Sequence, residues 1–356
     1  MSLYINGMGN ISPQQSWNDD TLLAHTYDYR GVMLKCVEPD YEQFFDPRQL
    51  RRMSRIIKMG ITAAQMALRQ AKVDNPDGII TGTGYGCLED TGTFLTKLVE
   101  NDEEALNPTP FIQSTHNTIG STIAMLLQCQ GYNQTYAHSA ASFESCLLDA
   151  MMHSEDNPEM KILIGGVDEI TEISHAIQGR FGLFRRKLAS TIKIFQNQKK
   201  GFANGEGAAY FLTSGLLQKN SIACIQGIET LYKPSANLLK DRIEVFIREA
   251  GITPLDVDLV ILGKSGDRST DHELDILTKN IFPKSGVGLF KHLCGEYPTS
   301  SAFAIWLAAR IIQERRIPEV VQSKHVSRPP KKVFILNAYM KTHYSFILMN
   351  ECRGTI

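Results

Sequence analysis

Residues 113–150 read QSTHNTIGSTIAMLLQCQGYNQTYAHSAASFESCLLDA. Ser121 to Leu127 has the apolar density of a helix, and Gln134 to Ala137 is a short strand. Ser142 to Met152 turns helical again, with Ser142 as candidate N-cap. A strand held between helices in so short a span is the grammar of a sheet covered by helices.

The surrounding sequence repeats that grammar. Leu3 to Gly9 reads as a strand running into a glycine turn, and residues 49–71 as one amphipathic helix. Gly78 to Gly84 and KILIGGV (161–167) are strands ending in glycines, and GEGAAYFLTS (205–214) is a turn followed by a strand. Beyond it come a helix from Leu238 to Ala250 closed by Gly251, a strand from Asp258 to Leu262, and an apolar helix from Ser300 to Arg315. Lys332 to Asn337 and Ser345 to Met349 are two last strands. The fold class is α/β, in two halves of similar style, 1–215 and 216–356. No Pro/Ser-rich linker divides them, so the chain reads as one continuous unit.

Composition narrows the function. Lys and Arg number 37 against 38 Asp and Glu, a net charge of −1, which gives no reason to expect nucleic acid or an anionic membrane as partner. No run reaches the ~18 apolar residues of a membrane helix, and the N-terminus lacks the pattern of a signal peptide. Seven scattered cysteines without CxxC pairs read as reduced cytoplasmic thiols, with no disulfide framework or metal site. The sequon at Asn133 is a chance match. Gly263-Lys264-Ser265 fails as a P-loop because Asp258 stands where its first glycine belongs, and Gly82 to Gly86 lacks dinucleotide-loop spacing. No cofactor is expected.

Several segments, in order, resemble β-ketoacyl synthases: INGMGNISP at the start, 113–150, ILIGGVDEIT, GFANGEGAAYFL (201–212), AGITPLDVDLVILG (250–263), GLFKHLCGEYPTSSA (288–302) and ILNAYMKTHYSFIL (335–348). The resemblance implies a thiolase-like five-layer α-β-α-β-α fold built from two similar halves, usually dimeric, with the region between residues 170 and 201 trimmed. Such enzymes load an acyl chain on a Cys thiolate at a helix N-terminus, whose dipole lowers the thiol pKa. Two His side chains then steady the developing negative charge of a malonyl thioester.

Carried over residue by residue, that machinery is missing. Counting from Gly131 puts Ala140 at the nucleophile position. Counting back from Asp271 puts Gly263 at the first His, and counting from Lys291, which matches the family Lys, puts Glu296 at the second. A methyl group forms no thioester, and losing one oxyanion donor alone costs about 2.7–4 kcal/mol. Tyr339 to His343 replaces the glycine-rich closing loop, so Lys341 joins the candidate pocket residues. Nearby groups have plainer readings: Ser139 as a turn hydroxyl, Ser142 as a cap, Cys146 as a buried helix residue, His138 and His292 as core or interface imidazoles, and Lys291–Glu296 as an ion pair filling the vacated pocket.

The resemblance therefore implies a chain-length-factor-like subunit, paired with an active ketosynthase and served by acyl carrier protein. Phe111, Thr115, His116 and Ile119 are then expected to floor the partner's acyl tunnel, with His116 and Asn117 fixing an interface helix. Two other readings stay open: an acyltransferase or decarboxylase with a remodelled pocket, and a non-catalytic acyl-binding homodimer.

Overall fold

The computed structural model describes residues 2–18, 21–196, 199–326 and 328–352. Ten strands carry the architecture: β1 (Leu3–Ile11), β2 (Gly78–Gly82), β3 (Tyr132–Tyr136), β4 (Ile162–Asp168), β5 (Gly207–Ser214), β6 (Ala223–Tyr232), β7 (Leu259–Leu262), β8 (Gly286–Leu289), β9 (Lys332–Tyr339) and β10 (His343–Glu351). They form one connected sheet in the order β8-β7-β9-β10-β6-β1-β5-β4-β2-β3, with the short strand Gln322–Lys324 on the β8 edge.

The order holds an internal repeat. Read from its outer edge, one block runs β3-β2-β4-β5-β1 and the other β8-β7-β9-β10-β6, each label five higher than its counterpart. Directions repeat too. β2 is parallel to β3 and β4, as β7 is to β8 and β9. The remaining pairings within each block are antiparallel. The blocks join through three residue pairs only, Leu3–Ile5 against Ala223–Ile225.

Helices α1 (Arg55–Ala71), α2 (Thr118–Leu126), α3 (Ser142–Asp156), α4 (Ala236–Glu249), α5 (Arg268–Ile281) and α6 (Ser300–Glu314) make the other layers. Alternate strand residues show the layering, because successive side chains leave opposite faces. Ile79 and Leu163 pack outward against α1 and α2. Ile80 and Ile164 pack inward with α3 and α6, which also receive Ile261 and Ile335 from the second block. Val260 and Phe334 pack outward against α4 and α5. This is the five-layer α-β-α-β-α arrangement, and it explains strands that read as unbroken apolar runs: both faces are buried.

Two sequence expectations need correction. The helix expected over 49–71 is broken: a single turn, Pro47–Leu50, precedes α1, which starts only at Arg55. Arg55 is drawn to the buried Glu206 of the GEGA segment, its Nη1 donating to Glu206 at 2.7 Å. Ser142 is not an N-cap but the first residue of α3. All seven cysteines are free. Among the described residues no helix is long and apolar enough to cross a membrane, and no His, Cys, Asp and Glu group could hold a metal ion.

Candidate functional site

β3 ends at Tyr136 and α3 begins six residues later, so the chain must turn sharply between them. Ser139 makes the turn in the left-handed region, φ +50°, a conformation that costs a non-glycine residue energy. The Ser142 hydroxyl pins it: it accepts from the His138 N–H at 2.8 Å and lies 2.9 and 2.7 Å from the Thr83 and Ser139 carbonyls. Ala140 sits buried at the head of this elbow. The residue at the head of this strained elbow presents a methyl group. Ser142 is consumed by the turn. Cys146, one helical turn further in, donates to the Ser142 carbonyl, and burial holds its thiol far above the ordinary pKa.

The other mapped positions are filled. Lys291 Nζ donates to both Glu296 oxygens, at 2.7 and 2.9 Å, and to the Ala338 carbonyl at 2.9 Å. Both side chains are 1% exposed. Burial pushes the Glu296 carboxyl up to about 7, and the Lys291 ammonium pulls against it. Gly263 is closed as well as bare. A Cβ there would stand 2.2 Å from Asn337 Oδ1 and 2.9 Å from Asn337 Cα. Nearby, Asp168 accepts from the Gly84, Tyr85 and Thr299 N–H groups and from the Thr83 and Thr299 hydroxyls. Burial raises it to about 6 against the Gly84 and Thr299 N–H groups and the Thr83 and Thr299 hydroxyls. The Tyr85 and Tyr339 hydroxyls meet at 3.2 Å.

Open space lies on another side of the elbow. A cavity of about 340 Å³ is lined by Ala140, Glu144, Asn337 and Ser345, with His138 and His343 among its walls. Glu144 is buried and accepts from the Ser345 hydroxyl at 2.8 Å. Burial raises its pKa, while the Ser301 and Ser345 hydroxyls and Lys291 lower it. Burial, His138 and Lys233 lower the pKa of His343. The cavity offers a carboxyl, an amide and two imidazoles, and no thiol. Glu144, Asn337 and Ser345 were not anticipated from the sequence. Glu144 does carry a signal: it lies on the stripe of α3 that holds Phe143 and Leu147 in the core, where an acid has no packing reason to be.

The profile of the β-ketoacyl synthase N-terminal domain matches residues 6–217, more than half of the chain. The chain belongs to the β-ketoacyl synthase family. A 3-oxoacyl-(acyl-carrier-protein) synthase 2 from Synechocystis sp. is 25% identical over 187 residues, which is 50% of this chain and 45% of that protein. A 3-oxoacyl-(acyl-carrier-protein) synthase homolog from Saccharomyces cerevisiae is 23% identical over 292 residues, 72% of this chain and 65% of that one. Both matches thus span less than two thirds of the relative. A β-ketoacyl synthase from Burkholderia phymatum superposes with TM-score 0.82 at 15% identity, covering 99% of both chains. The ishigamide ketosynthase/chain length factor gives 0.80 at 16%, also covering 99% of both. A ketosynthase in complex with its chain length factor from Xenorhabdus doucetiae gives 0.77 at 15%, covering 98% of both. At these identities the likeness to solved structures is one of fold.

Within this synthase-family chain the candidate interface and pocket residues separate. Phe111 is 56% exposed, with its ring 5.1 Å from that of Phe94. Thr115, His116 and Asn117 are exposed at the start of α2, where Thr115 and Thr118 share a hydroxyl contact of 2.8 Å. Ile119 departs from expectation. It is fully buried in the outer core beside Gly60 and floors nothing. His292 is a buried imidazole with Nε2 2.9 Å from the Val320 carbonyl, and burial lowers its pKa to about 4. Lys341 stands outside the cavity, 4.0 Å from Glu273. It and Met340 keep the left-handed backbone (φ +55° and +49°) that glycines would adopt freely.

Proposed function

We propose that this chain is a non-catalytic subunit of chain-length-factor type, which pairs with an active ketosynthase and meets acyl carrier protein during polyketide or fatty-acid chain building in the cytoplasm. One observation carries the reading: a methyl group heads the strained elbow, and the two positions that the resemblance assigns to imidazoles hold Gly263, closed by Asn337, and Glu296, paired with Lys291. Thiolate loading has no atom to act through, so the activity must come from another chain. The surface supports a partner. β3 ends the sheet with one edge unpaired, and the helices beside it expose Met125, Leu148 and Met152. Apolar side chains flanking an open strand edge suit a protein–protein contact. The cited ketosynthase from Xenorhabdus doucetiae was itself solved with its chain length factor.

The test is reconstitution with a Cys-bearing ketosynthase from the same source organism. Alone, the protein is expected to show no condensation from acyl- and malonyl-loaded carrier protein, and no acyl adduct by intact mass. Co-expressed, the two should purify as a heterodimer that makes product, and Phe111→Ala in this chain should lengthen it. An acyl adduct on this chain alone, or a homodimer that ignores the synthase, overturns the proposal.

A further inference from the structure

A second opening, of about 450 Å³, lies where β1, α1 and α6 reach the surface together. It shares no lining residue with the cavity over Ala140. Its walls include Met8, Met66 and Phe44 and both tryptophans of the chain, Trp17 and Trp306.

The polar groups in this groove agree in sign. Gln70 spends its amide oxygen on the Met8 N–H, at 2.7 Å, which leaves its NH2 group. Asn10 is 1% exposed, and its Nδ2 has no protein partner; neither has the buried Trp17 Nε1. A buried donor left unpaired costs free energy and asks for a partner. Arg69 lies 4.8 Å over the Phe44 ring, and no acid among the described residues pairs with it. Arg310, 5.9 Å from the Trp306 ring, shares its charge with Glu314 at 2.7 Å. Among the described residues no Asp or Glu lines the opening.

We propose that this groove binds an amphiphilic carboxylate: a single negative head held by Arg69 and the orphaned N–H groups, with an apolar body between the aromatic walls. Guanidinium and carboxylate match as a two-pronged pair. The size suits a small ligand. One guanidinium without an acid partner favours a monoanion over a phosphate dianion. The site stands on observations separate from those behind the subunit proposal.

Because both tryptophans line the groove, intrinsic fluorescence reports on it directly. Octanoate is expected to shift the emission saturably, octanol to bind at least ten-fold more weakly, and octyl phosphate no more tightly than octanoate. Arg69→Ala, an exposed position that threatens no core packing, should weaken octanoate ten-fold or more, and Arg69→Lys less. Trp17→Phe keeps an aromatic face, loses the N–H and should weaken binding several-fold. Equal affinity for octanol, an unaffected Arg69→Ala protein, tighter octyl phosphate, or calorimetric octanoate binding with silent tryptophans would each overturn the site.

Discussion

Ala140 is the residue on which the chemistry turns, and restoring sulfur there should not restore an enzyme. The Ala140→Cys protein gains a thiol at a helix start, but Glu296 stays tied to Lys291 and no imidazole can enter at Gly263 without moving Asn337. We expect no condensation product from this variant with malonyl-loaded carrier protein, measured by mass spectrometry; turnover would disprove the assignment of the two vacated positions. The ion pair itself can be probed through stability. Lys291→Met leaves a buried carboxylate without its counter-charge, which costs about 3–5 kcal/mol. Adding Glu296→Leu should recover most of that loss in urea unfolding, since a well-packed apolar pair often replaces a buried ionic one without penalty. A double variant as unstable as the single one would mean that the pair is not the unit acting.

At the scale of elements, the sheet blocks and most helices were legible, because apolar periodicity follows from which faces are covered. What escaped was set by contacts distant in sequence. α1 starts at Arg55, whose guanidinium meets Glu206, 151 residues away, a contact that no local pattern shows. Ile119 is expected at the interface because the resemblance places it at the start of the interface helix, yet only the fold shows that its side chain meets Gly60. The elbow was readable from its own short stretch. The cavity beside it was not, since β6 and the β9–β10 hairpin bring Thr230, Asn337 and Ser345 to it without any motif. The open β3 edge and the α3 surface make a prediction at this scale. Met152→Lys, at a position 64% exposed, should leave the fold intact and abolish copurification with the synthase partner. An undiminished heterodimer by size-exclusion chromatography would move the interface elsewhere.

Across the whole molecule, buried carboxyls set the response to acid. Burial, Glu206 and Asp90 raise the Glu169 pKa from 4.5 to about 7, against the Glu89 N–H and Arg55. The folded protein therefore holds a proton between about pH 4.5 and 7 that the unfolded chain releases. Stability from this group is present below that window and falls as pH rises through it. Glu169→Gln should flatten that fall when unfolding free energy is followed by denaturant titration from pH 5 to 8; an unchanged slope would place the proton on another group. The central layer has a consequence for synthesis. The core around α3 and α6 takes strands from both blocks, so in a nascent first half only α3 covers the inner face of the sheet, and the area that α6 covers in the finished fold is bare. At ~5–20 residues per second the ribosome needs roughly ten to thirty seconds to deliver the remainder. During that interval the uncovered apolar area is open to contact with a wrong neighbour.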